Sequence, residues 1–215
     1  MKAISRILAL VLVLALAIVP ATAEEAPQRG GTVTIAFPAS LTNIGFPVAG
    51  GVQPLWASKP AIEMLARYDE NGQIKGWLAK EILVDTDNLE VTLKLQEGVK
   101  YHDGTPFNAQ AVCDVWQIYI DNGSASAYFG NVDSFEATGE YEVKVKLNEW
   151  RTSTVGNLCI ECGVMISPTE FKRVGLEGIY GSVVGTGPFK MSRYDIAEGI
   201  EYVRNEDYWI EGQPY

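Results

Sequence analysis

Apolar residues fall on every second position in several stretches of this 215-residue chain. Val33, Ile35 and Phe37 alternate with Thr32, Thr34 and Ala36, and Pro38 follows. Successive side chains of a strand point to opposite faces, so residues 31–37 read as a first strand. Residues 59–68 place Ile62, Leu65 and Ala66 at helical spacing, which predicts a helix begun by Ser58 with Pro60 in its first turn. Asp69-Glu-Asn-Gly72 reads as a tight turn, since Asn-Gly adopts positive φ at low cost. Residues 81–84 and 89–95 form a hairpin pattern with Val91, Leu93 and Leu95 inward. Asp85, Asp87 and Glu90 read as its solvated, charged tip. Residues 108–120 carry one apolar stripe, Val112, Val115, Trp116 and Tyr119, and predict a helix. A second hairpin is expected over 132–137 and 141–147, with Val143, Val145 and Leu147 inward and Lys144 and Lys146 in solvent. Residues 164–166 read as a short strand. Ser167-Pro-Thr-Glu170 then makes a capping box in which the serine oxygen accepts an amide proton and Glu170 reaches back. Residues 189–194 and 200–204 close the chain as strands. Strands and helices interleave, so the class is α/β or α+β.

The first 23 residues differ in kind. Lys2 and Arg6 precede an apolar run over 7–19, and Ala21-Thr-Ala23 offers small residues before Glu24. This is the pattern of a cleavable export signal, and its apolar run falls short of the ~20 residues that span a bilayer. No stable membrane insertion is expected. No cysteine stands at the cleavage position, so no lipid anchor is expected either. Residues 24–30 are a polar lead-in. The net charge is −10, and losing Lys2 and Arg6 makes the remainder more acidic still. Such a chain is a poor partner for nucleic acid or an anionic membrane surface, both of which are held by lysines and arginines. Cys113, Cys159 and Cys162 are an odd number of thiols, too few for a disulfide-built scaffold.

Six short segments carry more information than any composition. They are Gly30-Gly-Thr-Val-Thr-Ile35; Tyr68-Asp-Glu-Asn-Gly-Gln-Ile-Lys-Gly-Trp-Leu-Ala79; Leu95 through Val99-Lys-Tyr-His-Asp-Gly-Thr-Pro-Phe107; Ser167-Pro168; Gly185-Thr-Gly-Pro-Phe189; and Arg204-Asn-Glu-Asp-Tyr-Trp209. In this order they resemble the peptide/nickel family of extracytoplasmic solute-binding proteins, family 5, which serve ABC importers. The resemblance implies a periplasmic-binding-protein type 2 fold, of which this α/β chain is lobe one, incomplete, with mixed sheets and flanking helices. It implies residues 31–215 as the N-terminal part of such a protein, including an inserted hairpin subdomain, with the second lobe absent. It further implies capture of a small solute (peptide, nickel chelate or similar) in the periplasm, and hand-over to permease subunits, without catalysis. One lobe alone offers an open shelf, so weak binding and self-association are expected. The family's Ser/Thr-Leu-Asp-Pro after the first strand is replaced here by Ser40-Leu-Thr-Asn-Ile-Gly-Phe-Pro47, so the aspartate is missing or displaced, and the resemblance leaves the family intact but the solute preference open.

The resemblance and loop composition together give the expected ligand contacts: Ala39, Ser40, Leu41 and Asn43 in the first loop, Tyr128 and Phe129 after the 122–126 loop, and Cys159 and Cys162 near the crossover. Aromatic side chains in a cleft give a large contact area at small entropic cost. Cys159-Ile-Glu-Cys162 also admits a local disulfide, two small buried thiols, or a redox or zinc site. Zinc needs four ligands, and only Cys113 and His102 could join the pair. His102, the sole histidine, lies inside a family turn and reads as structural. Asp103-Gly104 makes the reversal of that turn, and Gly185 and Gly187 are expected to take backbone conformations closed to other residues. No cofactor or metal is implied. Two other readings stay open: a truncated product without transport function, and a periplasmic thiol or metal protein using Cys159 and Cys162.

Overall fold

The computed structural model describes residues 30–36, 42–46, 52–122 and 128–214. Residues 1–33 form one unit, of which 30–33 are described: irregular backbone with Gly30 and Gly31 at φ of 90° and 88°. Residues 34–214 form the other. The segment 1–23, expected from the sequence to be an export signal, lies outside the described residues.

The most regular part is a four-stranded antiparallel sheet in the order β4-β5-β7-β6, built from β4 (Ala79–Asp85), β5 (Glu90–Leu95), β6 (Val132–Gly139) and β7 (Glu142–Leu147). It is two hairpins zipped together by their second arms. Alternation sets the faces: Val91, Leu93 and Leu95 of β5 and Val143, Val145 and Leu147 of β7 are all buried. Each such burial contributes about 1.5–3 kcal/mol. The helix α2 (Ala109–Asp121) covers that face, packing on β6 and β7 with Val112, Val115, Trp116 and Tyr119 inward. Asn108 caps it, its Oδ1 accepting from the Ala111 N–H at 2.9 Å. On the outer face Glu90 accepts from Lys144 at 2.9 Å and Lys146 at 2.6 Å, so it is a cross-strand ion-pair centre rather than a solvated tip. The turn between β4 and β5 is held by Asp85, whose Oδ1 accepts from the amides of Asp87 and Asn88.

The remaining elements surround this unit. They are α1 (Val52–Ser58), β1 (Glu63–Met64), β2 (Ala66–Tyr68), β3 (Ile74–Gly76), α3 (Ser153–Gly156), β8 (Val164–Met165), α4 (Pro168–Ile179), β9 (Phe189–Asp195) and β10 (Gly199–Arg204). They pair antiparallel as β1·β8, β2·β3 and β9·β10. Two polar tips of α2 fix β8 and the segment before it: Trp116 Nε1 donates to the Cys162 carbonyl at 2.9 Å and Tyr119 OH to the Val164 carbonyl at 2.7 Å.

Several expectations are corrected. The helix expected at 59–68 lies upstream, as α1, and Ser58 ends it instead of starting it. The Ser58 hydroxyl donates to the carbonyls of Ile44 and Pro54. Residues 61–66 are strand and turn; Ala61, Ile62, Leu65 and Ala66 are all buried, and a run buried on both sides mimics helical spacing. Residues 31–36 take no strand assignment, and Ile35 is 68% exposed, because alternation becomes a strand only with a ladder partner; Phe37 lies outside the described residues. At α4 half of the capping box forms. Ser167 Oγ accepts from the Glu170 amide at 3.0 Å, but the Ser167 amide donates to the Val184 carbonyl, and the Glu170 carboxylate binds Arg173 and Ser182 instead.

Candidate functional site

Residues 128–132 and 153–162 fold over the open side of the buried sheet face and leave a small cavity of about 40 Å³. Its floor is Val91, Leu93 and Val145 from β5 and β7, with Trp116 from α2. Tyr128, Phe129, Val132, Leu158 and Cys162 form its walls, and Asn131, Thr154 and Asn157 supply its polar groups. The Phe129 ring meets Trp116 edge-on at 5.8 Å and Phe135 at 6.2 Å, so it is anchored from below. Asn131 is 2% exposed and donates to Thr154 Oγ1 at 2.8 Å and to the Glu149 carbonyl at 3.2 Å. Asn157 Nδ2 donates to the Tyr128 carbonyl, and the Cys162 thiol donates to the Asn157 carbonyl at 2.8 Å.

Three of the expected contacts, Tyr128, Phe129 and Cys162, are thus brought to one place. Cys159 is buried but does not line the cavity. Asn43 sits apart, in the left-handed region at φ 58°, its carbonyl accepting from the Phe46 amide. Ala39, Ser40 and Leu41 lie outside the described residues. Sequence reading missed Asn131, Thr154 and Asn157. The available signal was the density of small polar residues over 152–157, next to a cysteine pair.

No disulfide joins the cysteines. Burial pushes the Cys113 thiol up to about 11 and raises that of Cys159, so both are protonated at neutral pH. That is the opposite of an activated thiolate. Among the described residues no three His, Cys, Asp or Glu side chains gather as metal ligands would. His102 donates from Nε2 to the Gly187 carbonyl at 2.9 Å, and its amide donates to the Gly185 carbonyl at 2.8 Å. Burial holds its imidazole below the ordinary histidine value.

The sequence motifs converge at a second place. Asp103 accepts from Thr105 and from Ser167 Oγ at 2.5 Å, with Gly104 at φ 84° making the reversal. Asn205 donates from Nδ2 to the Gly187 carbonyl and from its amide to Pro188. Gly185 and Gly187 serve by close approach, correcting the expectation of special φ. A Cβ on Gly185 would lie 2.2 Å from the Ala61 carbonyl oxygen, and one on Gly187 would lie 2.7 Å from backbone atoms of Pro60 and Ala61. Glu63, unnoticed in the sequence, takes four hydrogen bonds here, from Trp77, Thr186, Tyr208 and Trp209.

With this geometry in place, the chain can be compared with known proteins. The model of the family described as "Bacterial extracellular solute-binding proteins, family 5 Middle" matches residues 73–215. The chain belongs to this family. Glutathione-binding protein GsiB of Pectobacterium atrosepticum is 30% identical over 209 residues, covering 81% of this chain and 40% of that protein. GsiB of Escherichia coli strain K12 is 30% identical over 165 residues, covering 73% and 31%. NikA from Brucella suis, solved in complex with Fe(III)-EDTA, superposes with a TM-score of 0.70 at 26% identity, covering 81% of this chain and 36% of that one. The periplasmic binding protein DppA from Helicobacter pylori, solved with the peptide STSA, shares the fold with a TM-score of 0.64 at 21% identity over 80% and 38%. The chain therefore spans two fifths or less of the length of these relatives. Its mixed α/β arrangement is part of the type 2 periplasmic-binding fold.

Proposed function

We propose that this chain supplies the first lobe of a two-lobed solute-binding protein that takes up short peptides, with glutathione first among them, for an ABC importer. In this reading residues 1–23 direct export to the periplasm, 24–30 are a lead-in, and 31–215 are lobe one, with β4 to β7 and α2 as its inserted subdomain. Permease subunits receive the loaded protein, and the chain performs capture and hand-over with no covalent step. The observation that carries the reading is the family match over 73–215 together with the GsiB relatives at 30% identity.

The cavity beneath Tyr128 and Phe129 supports it as one wall of a cleft. Drug-sized ligands occupy about 300–1,000 Å³. A recess of about 40 Å³ takes one small group, and the rest of the solute must be covered by other parts of the protein. Apolar walls with three amide or hydroxyl side chains suit an uncharged side chain flanked by peptide groups. Ala39, Ser40, Leu41 and Asn43 complete the proposed contacts from the first loop. The thiol and metal reading gains nothing from cysteines that are buried, with the Cys159 thiol raised by that burial.

The test is transport. Deleting the gene in its host should abolish uptake of radiolabelled glutathione or of a di- or tripeptide, and a plasmid copy should restore it. Unchanged uptake of glutathione, of the peptides and of nickel–histidine would overturn the reading.

A further inference from the structure

Two carboxylates are buried among the described residues, and they are treated differently. Glu170 has the Arg173 guanidinium at 2.7 Å. Glu63, 7% exposed, has four neutral donors. Trp77 Nε1 and Tyr208 OH reach Oε1, each at 2.7 Å, while Thr186 Oγ1 at 2.8 Å and Trp209 Nε1 at 2.9 Å reach Oε2. The donors come from positions 14, 123, 145 and 146 residues away. One β1 side chain therefore gathers the residue after β3, the loop before β9 and the segment after β10.

The tail segment is held by this gathering and by an ion pair of Asp207 with Lys190 of β9 at 3.8 Å. Asn205 is tied by its own amide and side chain to Pro188 and Gly187. Beyond it, Tyr208 and Trp209 reach the body of the protein through Glu63 and through the Trp209–Trp77 ring contact at 5.4 Å. The surroundings of the carboxyl hold few charges. Opposite Glu63 in the ladder stands Met165 of β8, and Val164 stands opposite the next residue, Met64. The Arg67 guanidinium of β2 lies 3.6 Å from the centre of the Trp77 ring, and Tyr208 is the other titratable neighbour.

We propose that Glu63 is a proton-dependent clasp on residues 206–209, so that gain or loss of its proton changes how firmly Tyr208 and Trp209 are held while α2 and its sheet stay folded. Two influences oppose each other. Burial disfavours the charged form, and the four donors favour it; burial prevails, and the carboxyl is raised above the ordinary glutamate value. Lifting the tail hydrates the carboxyl and returns it toward that value. Docking is therefore accompanied by proton uptake, and the sign follows. The tail is held most firmly below the ordinary glutamate value. Its hold weakens as pH rises through the raised value, by up to about tenfold per pH unit between the two.

Hydrogen exchange read by mass spectrometry from about pH 4 to about pH 8, corrected for the intrinsic rate of each amide, measures the opening of 206–209 directly. The wild type should show opening that increases with pH over a limited window, with α2 amides unchanged. Glu63→Gln should flatten the dependence. Tyr208→Phe, which removes one donor to the charged form, should move the window to higher pH and serves if Glu63→Gln does not fold. A pH-independent tail in the wild type, an unchanged dependence in Glu63→Gln, or opening that coincides with loss of α2 protection would each overturn the proposal.

Discussion

At the scale of single residues, the decisive contacts are made by small groups in tight places. Gly187 lies against the backbone of Pro60 and Ala61, and its amide donates to the Ala61 carbonyl at 3.0 Å. Gly187→Ala should destabilise the fold by about 1–3 kcal/mol through overpacking, read as a lower urea midpoint with an unchanged slope. Ser167 does two jobs, capping α4 and donating to Asp103. Ser167→Ala should cost about 0.5–2 kcal/mol for the cap, with a further loss because Asp103 gives up a donor. His102 adds a pH term. Its imidazole, held below the ordinary value by burial, is neutral in the fold, so its contribution is present near neutrality and fades as pH falls below the ordinary histidine value. His102→Asn should lessen that fade, measured as urea midpoints across the acid range. The cap by Ser167 was visible in the sequence, but its bond to Asp103 was not, and Gly187 and His102 were motif letters. Their meaning comes from segments more than 80 positions away.

At the scale of elements, legibility follows exposure. β5 and β7 are buried on one face and wet on the other, and their alternation in the sequence placed both correctly. α2 announced itself by its apolar stripe, whereas the cap by Asn108 came from the structure. The segment 61–66 failed because burial all round erases the period, and 31–36 failed because a ladder needs a partner that alternation does not supply. The candidate site divides in the same way. Tyr128, Phe129 and Cys162 stood out by residue type, whereas Asn131, Thr154 and Asn157 are ordinary polar residues until burial gives them a place. The outer face of the sheet carries its own test. Hydrogen bonds from Lys146 and Lys144 hold the Glu90 carboxyl below the ordinary value, so its stabilising effect is present above that value and is lost as pH falls through the lowered one. Glu90→Gln should be less stable than the wild type near neutrality and in low salt, with the gap closing in acid and in high salt.

At the scale of the whole molecule, the three thiols report on unfolding. All are buried, and those of Cys113 and Cys159 are raised by burial. A maleimide or disulfide reagent should label them slowly in the native protein and quickly in denaturant, and the native rate should track global opening. Rapid native labelling of Cys159 or Cys162 would return the thiol reading to consideration. The order β4-β5-β7-β6 has a consequence of another kind. Because β5 runs antiparallel to both β4 and β7, the 86–88 turn and the 140–141 turn leave the sheet at opposite ends, about 20 Å apart for six residues at the usual rise. A donor dye at Asp87 and an acceptor dye at Glu140 would make a molecular ruler laid along the strands, sensitive to any slip of one hairpin past the other and blind to events in the tail.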